Sequence, residues 1–167
     1  VSLCREMGIE PEVVSPVCVD GEVVSSTLIK NKLYAGDVSG AARLLGRPFS
    51  LNGSVSPGKK LGRLLGFPTA NMAVDPDILV PKWGVYETRA ITGGKCYRGV
   101  TNVGNNPTIE GDSLRVETHI IGFEREIYNE PIQVQFVRRI RDEKKFEDIM
   151  ALKHQLEQDI AFVKNSR

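Results

Sequence analysis

The spacing of apolar residues changes from helical to alternating and back to helical along the chain. Residues 1–24 come before this, broken by Gly8, Pro11, Pro16 and the turn Asp20-Gly21, and read as short strands. Ser25-Ser26-Thr27 then offers caps for a helix carrying Leu28, Ile29 and Leu33 and ending near Gly36. Asp37 caps a second short helix with Val38, Ala42 and Leu45, stopped by Gly46. From Phe49 the pattern is β. Strands are predicted over 49–56, 68–73, 84–91, 95–103, 114–122 and 131–138, with Gly93-Gly94 as a hairpin signal. In the last of these Ile132, Val134 and Phe136 alternate with Gln133, Gln135 and Val137, the mark of a half-buried antiparallel strand. Six such strands without a βαβ rhythm predict a mainly β fold, a closed or nearly closed antiparallel barrel. A C-terminal helix follows, capped by Asp148, with Ile149, Leu152, Leu156, Ile160 and Val163 on one face. That stripe is expected to pack on the barrel.

Composition narrows the function classes. The 167 residues suit one domain with a small appendage, and 41% apolar with 26% charged residues is ordinary for a soluble globular protein. Lys+Arg 22 against Asp+Glu 21 leaves a net charge of +1, so no global basic field points to nucleic acid and phosphate recognition has to be local. Apolar runs fall far short of the ~20 residues that span a bilayer, and no membrane partner or signal peptide is expected. The start at Val1 rather than Met fits a trimmed chain. Cys4, Cys18 and Cys96 are scattered and odd in number, which argues for reduced thiols in a cytoplasmic protein rather than for a zinc site or a disulfide framework.

The densest chemistry lies in Gly62-Arg63-Leu64-Leu65-Gly66-Phe67-Pro68-Thr69-Ala70-Asn71-Met72. If Pro68 opens a strand, Thr69 and Asn71 point to one face and set a hydroxyl beside a carboxamide oxygen. Mg²⁺ prefers oxygen ligands and often takes only one or two from protein. On composition alone, two polar surface residues after a turn is the plainer reading. Just upstream, Gly53 to Lys59 fits the opening of a P-loop, but Lys60 stands where Ser or Thr is needed, and Gly62 and Pro68 follow too soon for a helix. Gly58, Lys59, Lys60, Gly62 and Arg63 remain as a cationic loop, either a solvated turn or a cover for phosphates. Further on, Arg115, Glu117 and His119 share one face of a predicted strand. By spacing alone Glu117 and Arg115 read as a surface ion pair, and His119 as a histidine satisfied by its neighbours.

The string Gly66-Phe67-Pro68-Thr69-Ala70-Asn71 resembles the signature of riboflavin kinases, in particular the kinase module of bacterial bifunctional riboflavin kinase/FAD synthetases. The resemblance continues in register through Gly84-Val85-Tyr86, Asn102 to Thr108, Val116 to Ile120, Arg138 to Arg141, and Lys145-Phe146, covering roughly residues 47 to 163. It implies a six-stranded Greek-key barrel with a helix, and phosphorylation of the ribityl terminal hydroxyl of riboflavin by ATP to give FMN and ADP. It also implies roles for particular residues. Glu117 would be the catalytic base, and Thr69 and Asn71 the Mg²⁺ ligands. Gly58, Lys59, Gly62, Arg63, Phe67, Pro68, Asn102 and Arg141 would contact nucleotide or flavin. Thr118 stands where the family more often has an apolar residue, which bears on packing more than on catalysis. His119, Asn105, Asn106, Pro107 and Phe146 gain no definite role, Asn102 to Pro107 reading as a polar turn.

Val24 to Lys30 and Gly36 to Phe49 resemble the tail of the adenylyltransferase half of the bifunctional enzymes, whose histidine-containing phosphate motif is absent from residues 1–46. The expected division is therefore 1–46, a remnant of an N-terminal FMN adenylyltransferase module with a short helical hairpin, and 47–167, the kinase barrel. FAD synthesis by this chain alone is not expected. Two rivals remain. One is a non-catalytic flavin- or nucleotide-binding barrel, against which Thr69, Asn71 and Glu117 together speak. The other is a nucleic-acid-binding barrel, for which the 7% aromatic content and balanced charge give no basis.

Overall fold

Short elements that cannot bury much area by themselves open the chain. A helical turn α1 (Ser2–Glu6) is followed by a minimal hairpin of β1 (Cys18–Val19) and β2 (Glu22–Val23) around Asp20-Gly21, both of which take left-handed φ values of 51° and 81°. The helical turn replaces the strand expected there. No glycine or proline interrupts residues 2–6, and local bonds such as Arg5 N–H to the Val1 carbonyl close the turn. Helices α2 (Ser26–Ala35) and α3 (Val38–Leu45) then form a hairpin capped by Ser25 and Asp37 and ended by Gly36 and Gly46 in left-handed conformations. The pair does not stand alone. Leu33, Val38 and Ala41 join the same buried cluster as the barrel interior, and the Leu33 carbonyl accepts from Lys82 N–H at 2.9 Å.

The computed structural model describes residues 1–58, 61–75, 77–108 and 111–166, with the side chains of residues 61, 105–108 and 111–113 outside that description. After β3 (Ser50–Ser56) comes a single helical turn, α4 (Leu61–Leu64), where no helix was expected. It ends at once because Gly66 and Pro68 cannot continue it. Strands β4 (Ala70–Ala73), β5 (Gly84–Thr92), β6 (Lys95–Thr108), β7 (Gly111–Ile120) and β8 (Pro131–Arg141) complete a closed antiparallel barrel in the order β3-β4-β7-β6-β5-β8. Strands β5, β6 and β7 are consecutive hairpin neighbours and β8 returns beside β5, which is a Greek key. Strand β6 runs past the predicted end into the expected polar turn, so Asn102 to Thr108 are strand. Beyond Val103 its β5 partner is gone, and an open edge tolerates the missing N–H of Pro107.

Alternation fills the barrel from one face of each strand. Tyr86, Val103, Val116, Val134 and Phe136 are fully buried, with Tyr86 and Phe136 edge to face at 5.2 Å. Three buried threonines interrupt this apolar filling but satisfy one another: Thr88 to Thr101 at 2.8 Å and Thr101 to Thr118 at 2.9 Å between hydroxyl oxygens.

The long helix α5 (Ile149–Asn165) lies on the outer face. Ile160 and Val163 bury against Val85 and Val100, and Asp159 is tied to Arg141. Only the C-terminal half of the apolar stripe packs as expected, since Ile149 is 49% exposed. At the helix end Glu87 accepts from Arg98, Arg138 and the Ser166 hydroxyl. Among the described residues no helix is long and apolar enough to cross a membrane.

Candidate functional site

The filling of the barrel decides which polar side chains face outward. Ala70 and Met72 of β4, Val116 and Thr118 of β7, and Thr101 and Val103 of β6 belong to the interior. Their alternates Asn71, Glu117 and Asn102 therefore sit on the outside. Register then aligns them. Ser56 pairs with Asn71, Asn71 with Glu117, Glu117 with Asn102, Asn102 with Val85, and Val85 with Arg141. Residues directly opposite in such ladders have Cβ atoms about 5 Å apart. One row across five strand junctions thus carries a carboxamide, a carboxylate and a second carboxamide side by side, with a guanidinium at its far end.

Glu117 is half-buried and one of its carboxylate oxygens accepts from Arg115 Nη1 at 3.0 Å, with no hydrogen bond to the other among the described residues. Asn102 donates from Nδ2 to Glu143 Oε1 at 3.1 Å. Glu143 lies so close over Gly104 that any Cβ there would collide with its carboxylate. At the end of the row Arg141 is held by Asp159 through Nε at 3.0 Å and Nη2 at 2.7 Å, a bidentate pair, with the Phe146 ring 6.0 Å from its guanidinium carbon.

Beside the row, a cavity of about 210 Å³ opens between the β3–β4 connection and the β7–β8 loop. Thr69, Asn71, Gly58, Arg63 and Pro68 line one wall, and Phe123, Glu126 and Tyr128 are on the other. Ala70 is inward and Asn71 outward, and Thr69, which precedes β4 rather than lying in it as expected, joins Asn71 at the cavity wall. A Cβ on Gly58 would collide with the Asn71 carboxamide, so glycine alone allows the loop to rest there. Gly62 closes the turn, its carbonyl accepting from Phe67 N–H at 2.7 Å. Arg63 reaches across to Glu126 at 2.6 Å. Lys59 lies outside the described residues.

His119 stands on the same face as Glu117. Its Nδ1 is 2.9 Å from the Pro68 carbonyl and its ring meets Phe67 edge to face at 5.8 Å. Burial pushes its imidazole below the ordinary histidine value and Lys164 adds to this, against the opposing bond to Pro68.

The structure thus gathers Asn71, Glu117 and Asn102 in one row and Thr69, Gly58, Arg63 and Pro68 around the cavity. Phe67 it places against His119. Glu117 does not line the cavity, although its strand neighbours Thr118 and Ile120 do. Glu143, Glu126 and the aromatics of the β7–β8 loop are neighbours that sequence reasoning missed. For the loop residues the signal was the charged and aromatic run Phe123 to Tyr128 between two strands, while Glu143, just after β8, carried none. Among the described residues no group of three or more His, Cys, Asp or Glu side chains could hold a metal ion. The Thr69 hydroxyl and Asn71 carboxamide are hard oxygen donors at a cavity edge, a sparse set of the kind Mg²⁺ accepts.

The sequence model of the riboflavin kinase family, Flavokinase, matches residues 45–167. The chain is 38% identical over 148 residues to a bifunctional riboflavin kinase/FMN adenylyltransferase of Haemophilus influenzae, covering 88% of this chain and 48% of that protein. A protein of the same name from Bacillus subtilis is 39% identical over 139 residues, covering 81% of this chain and 44% of its own length. Among solved structures, one described as a macrolide-efflux protein from Streptococcus pneumoniae superposes with a TM-score of 0.89 at 34% identity, over 99% of this chain and 54% of that one. The chain spans about half the length of the curated relatives it matches.

Proposed function

The chain belongs to the riboflavin kinase family, and on that premise we propose that it transfers the terminal phosphoryl group of ATP to the ribityl terminal hydroxyl of riboflavin, giving FMN and ADP. The observation that carries this reading is the cross-strand pairing of Asn71 with Glu117 at the edge of the cavity that Thr69 lines. A primary alcohol is a poor nucleophile, so a carboxylate has to orient it and take its proton. The second oxygen of Glu117 is suited to that role, while Arg115 fixes the first. As the ribityl oxygen bonds to the γ-phosphorus, the bond from phosphorus to the ADP oxygen breaks and the hydroxyl proton passes to Glu117.

Thr69 and Asn71 would hold Mg²⁺, which when bound neutralises charge on the phosphate oxygens. Gly58 and Gly62 let the loop approach the phosphates closely, and Lys59 and Arg63 add cationic contacts, Arg63 after leaving Glu126. Phe67 and Pro68 shape the wall beside the nucleotide, and Asn102 and Arg141 lie along the row towards the flavin. Residues 47–167 form the kinase unit in this reading. Residues 1–46 are the remnant of an N-terminal FMN adenylyltransferase module to which the native protein is fused.

Steady-state FMN formation from riboflavin and ATP, with and without Mg²⁺, tests this. Metal-dependent turnover is expected. Tight flavin binding with no FMN formed would favour a non-catalytic flavin-binding barrel instead.

A further inference from the structure

Strand β7 presents His119 two residues beyond Glu117 on the same outer face, and the chemistry above leaves that imidazole without a task. A carbonyl oxygen only accepts, so the proton between His119 and Pro68 sits on Nδ1. The ring is fixed on two sides, edge to face against Phe67 and beside its ladder partner Val100, which packs with Ile160 and Val163 of α5. Such a ring has little freedom to swing towards a ligand, and its donor is already used.

What it holds is informative. Strand β4 starts only at Ala70, so the peptide joining Pro68 to Thr69 lies before the regular ladder. Pro68 has no N–H to anchor it, and among the described hydrogen bonds its carbonyl is met by His119. One peptide bond further on is Thr69.

We propose that His119 is a positioning residue: by donating from Nδ1 to the Pro68 carbonyl it fixes the Thr69 hydroxyl beside the Asn71 carboxamide, and so sets how well that pair binds a metal–nucleotide complex. The role rests on the proposed kinase reading, in which Thr69 and Asn71 hold Mg²⁺. It makes one strand serve both halves of the site, with Glu117 facing the alcohol and His119 bracing the turn that carries the metal ligands.

The test separates the donor from the ring. His119→Phe keeps the aromatic contact with Phe67 and removes the donor; His119→Asn keeps an N–H near the Nδ1 position on a smaller side chain. Calorimetric titration with ADP at rising Mg²⁺ reads the metal–nucleotide site without turnover. In His119→Phe the Mg²⁺-dependent ADP affinity is expected to fall about tenfold, the usual scale for groups that orient a ligand rather than bind the metal. Riboflavin affinity should stay unchanged, and His119→Asn should recover most of the loss. Equal Mg²⁺-dependent ADP affinity in His119→Phe and the parent overturns the role. So does a His119→Asn variant as impaired as His119→Phe, since the retained donor would then recover nothing. If His119→Phe proves unstable, His119→Asn against the parent decides, near-parental affinity supporting the role and a loss of about tenfold overturning it. ADP binding by the parent that ignores Mg²⁺ overturns the metal assignment of Thr69 and Asn71, and the role of His119 with it.

Discussion

Asn71 on β4 and Glu117 on β7 are direct cross-strand partners. Neighbouring strands lie about 4.8 Å apart, so a candidate metal ligand and the candidate base are fixed to one another by backbone hydrogen bonds rather than by flexible loops. Catalysis of phosphoryl transfer is mostly positioning and charge neutralisation, and a shared strand pair supplies the first.

The contact of Gly58 with Asn71 makes the loop sensitive to a single methyl group. In Gly58→Ala the added Cβ would collide with the Asn71 carboxamide and displace it. A misplacement of about 1 Å at a positioning group can cost about 100-fold, and kcat/KM for FMN formation is expected to fall on that order. Residue 58 lies outside the ladders, so Tm should hardly move. Unchanged kinetics in this variant would mean that the loop does not rest on Asn71 during turnover.

Helix α5 is pinned by an ion pair whose acidic partner is 2% exposed. Asp159→Ala leaves the Arg141 guanidinium without its bidentate partner and frees Gln155 as well. Removing one member of a buried pair costs about 3–5 kcal/mol, which in a domain of this size lowers Tm by about 10 °C. Scanning calorimetry reads this directly. A Tm within error of the parent would show that the Glu87 cluster at the C-terminus of α5 holds the helix without Asp159.

Acid should loosen the same helix. Burial alone would raise the Glu87 carboxyl, but hydrogen bonds from Arg98, Arg138 and Ser166 outweigh it and hold the group below its ordinary 4.5. Its folded value is depressed, so its contribution to stability is complete above 4.5 and is lost as pH falls through the folded value. His119 acts in the same direction at milder acidity. Its folded value lies below the ordinary 6.5, so below 6.5 the unfolded chain binds the extra proton first and stability declines. Tm is therefore expected to fall in two stages on acidification. Glu87→Gln should flatten the lower stage and His119→Asn the upper one. A Tm independent of pH from neutrality to about pH 5 would contradict the His119 assignment, and one that stays level on down to about pH 2 would contradict the Glu87 assignment as well.

The barrel was legible in the sequence because each strand has one face to bury. The Gly93-Gly94 hairpin, with φ of 55° and 72°, and the Asp148 cap bonding Ala151 N–H at 2.7 Å came from local rules alone. What local rules miss is set by distant partners. The reach of β6 through Pro107 depends on where β5 stops. The helical turn at residues 2–6 lacks any periodic signal strong enough to reveal it. Thr118 reads as a departure from an apolar pattern until Thr101 is seen to satisfy its hydroxyl. In the site, the expected alternation from Pro68 fails because β4 starts only at Ala70, and nothing local aligns Asn71, Glu117 and Asn102 in a single row, since register between distant strands is a tertiary property. The partner of His119 is a backbone carbonyl 51 residues away, which no motif encodes.

The most direct measurement is FMN formation from riboflavin and ATP by the parent chain and by Glu117→Gln, each with and without Mg²⁺, alongside Tm. The parent should turn over only with the metal, and the variant should lose about 10²- to 10⁴-fold in kcat, the usual worth of a positioned base. Its Tm should shift little, because the half-exposed pair with Arg115 contributes about 0–1 kcal/mol. Full turnover in Glu117→Gln would contradict the assignment of the base, and a parent that binds flavin but forms no FMN would contradict the kinase itself.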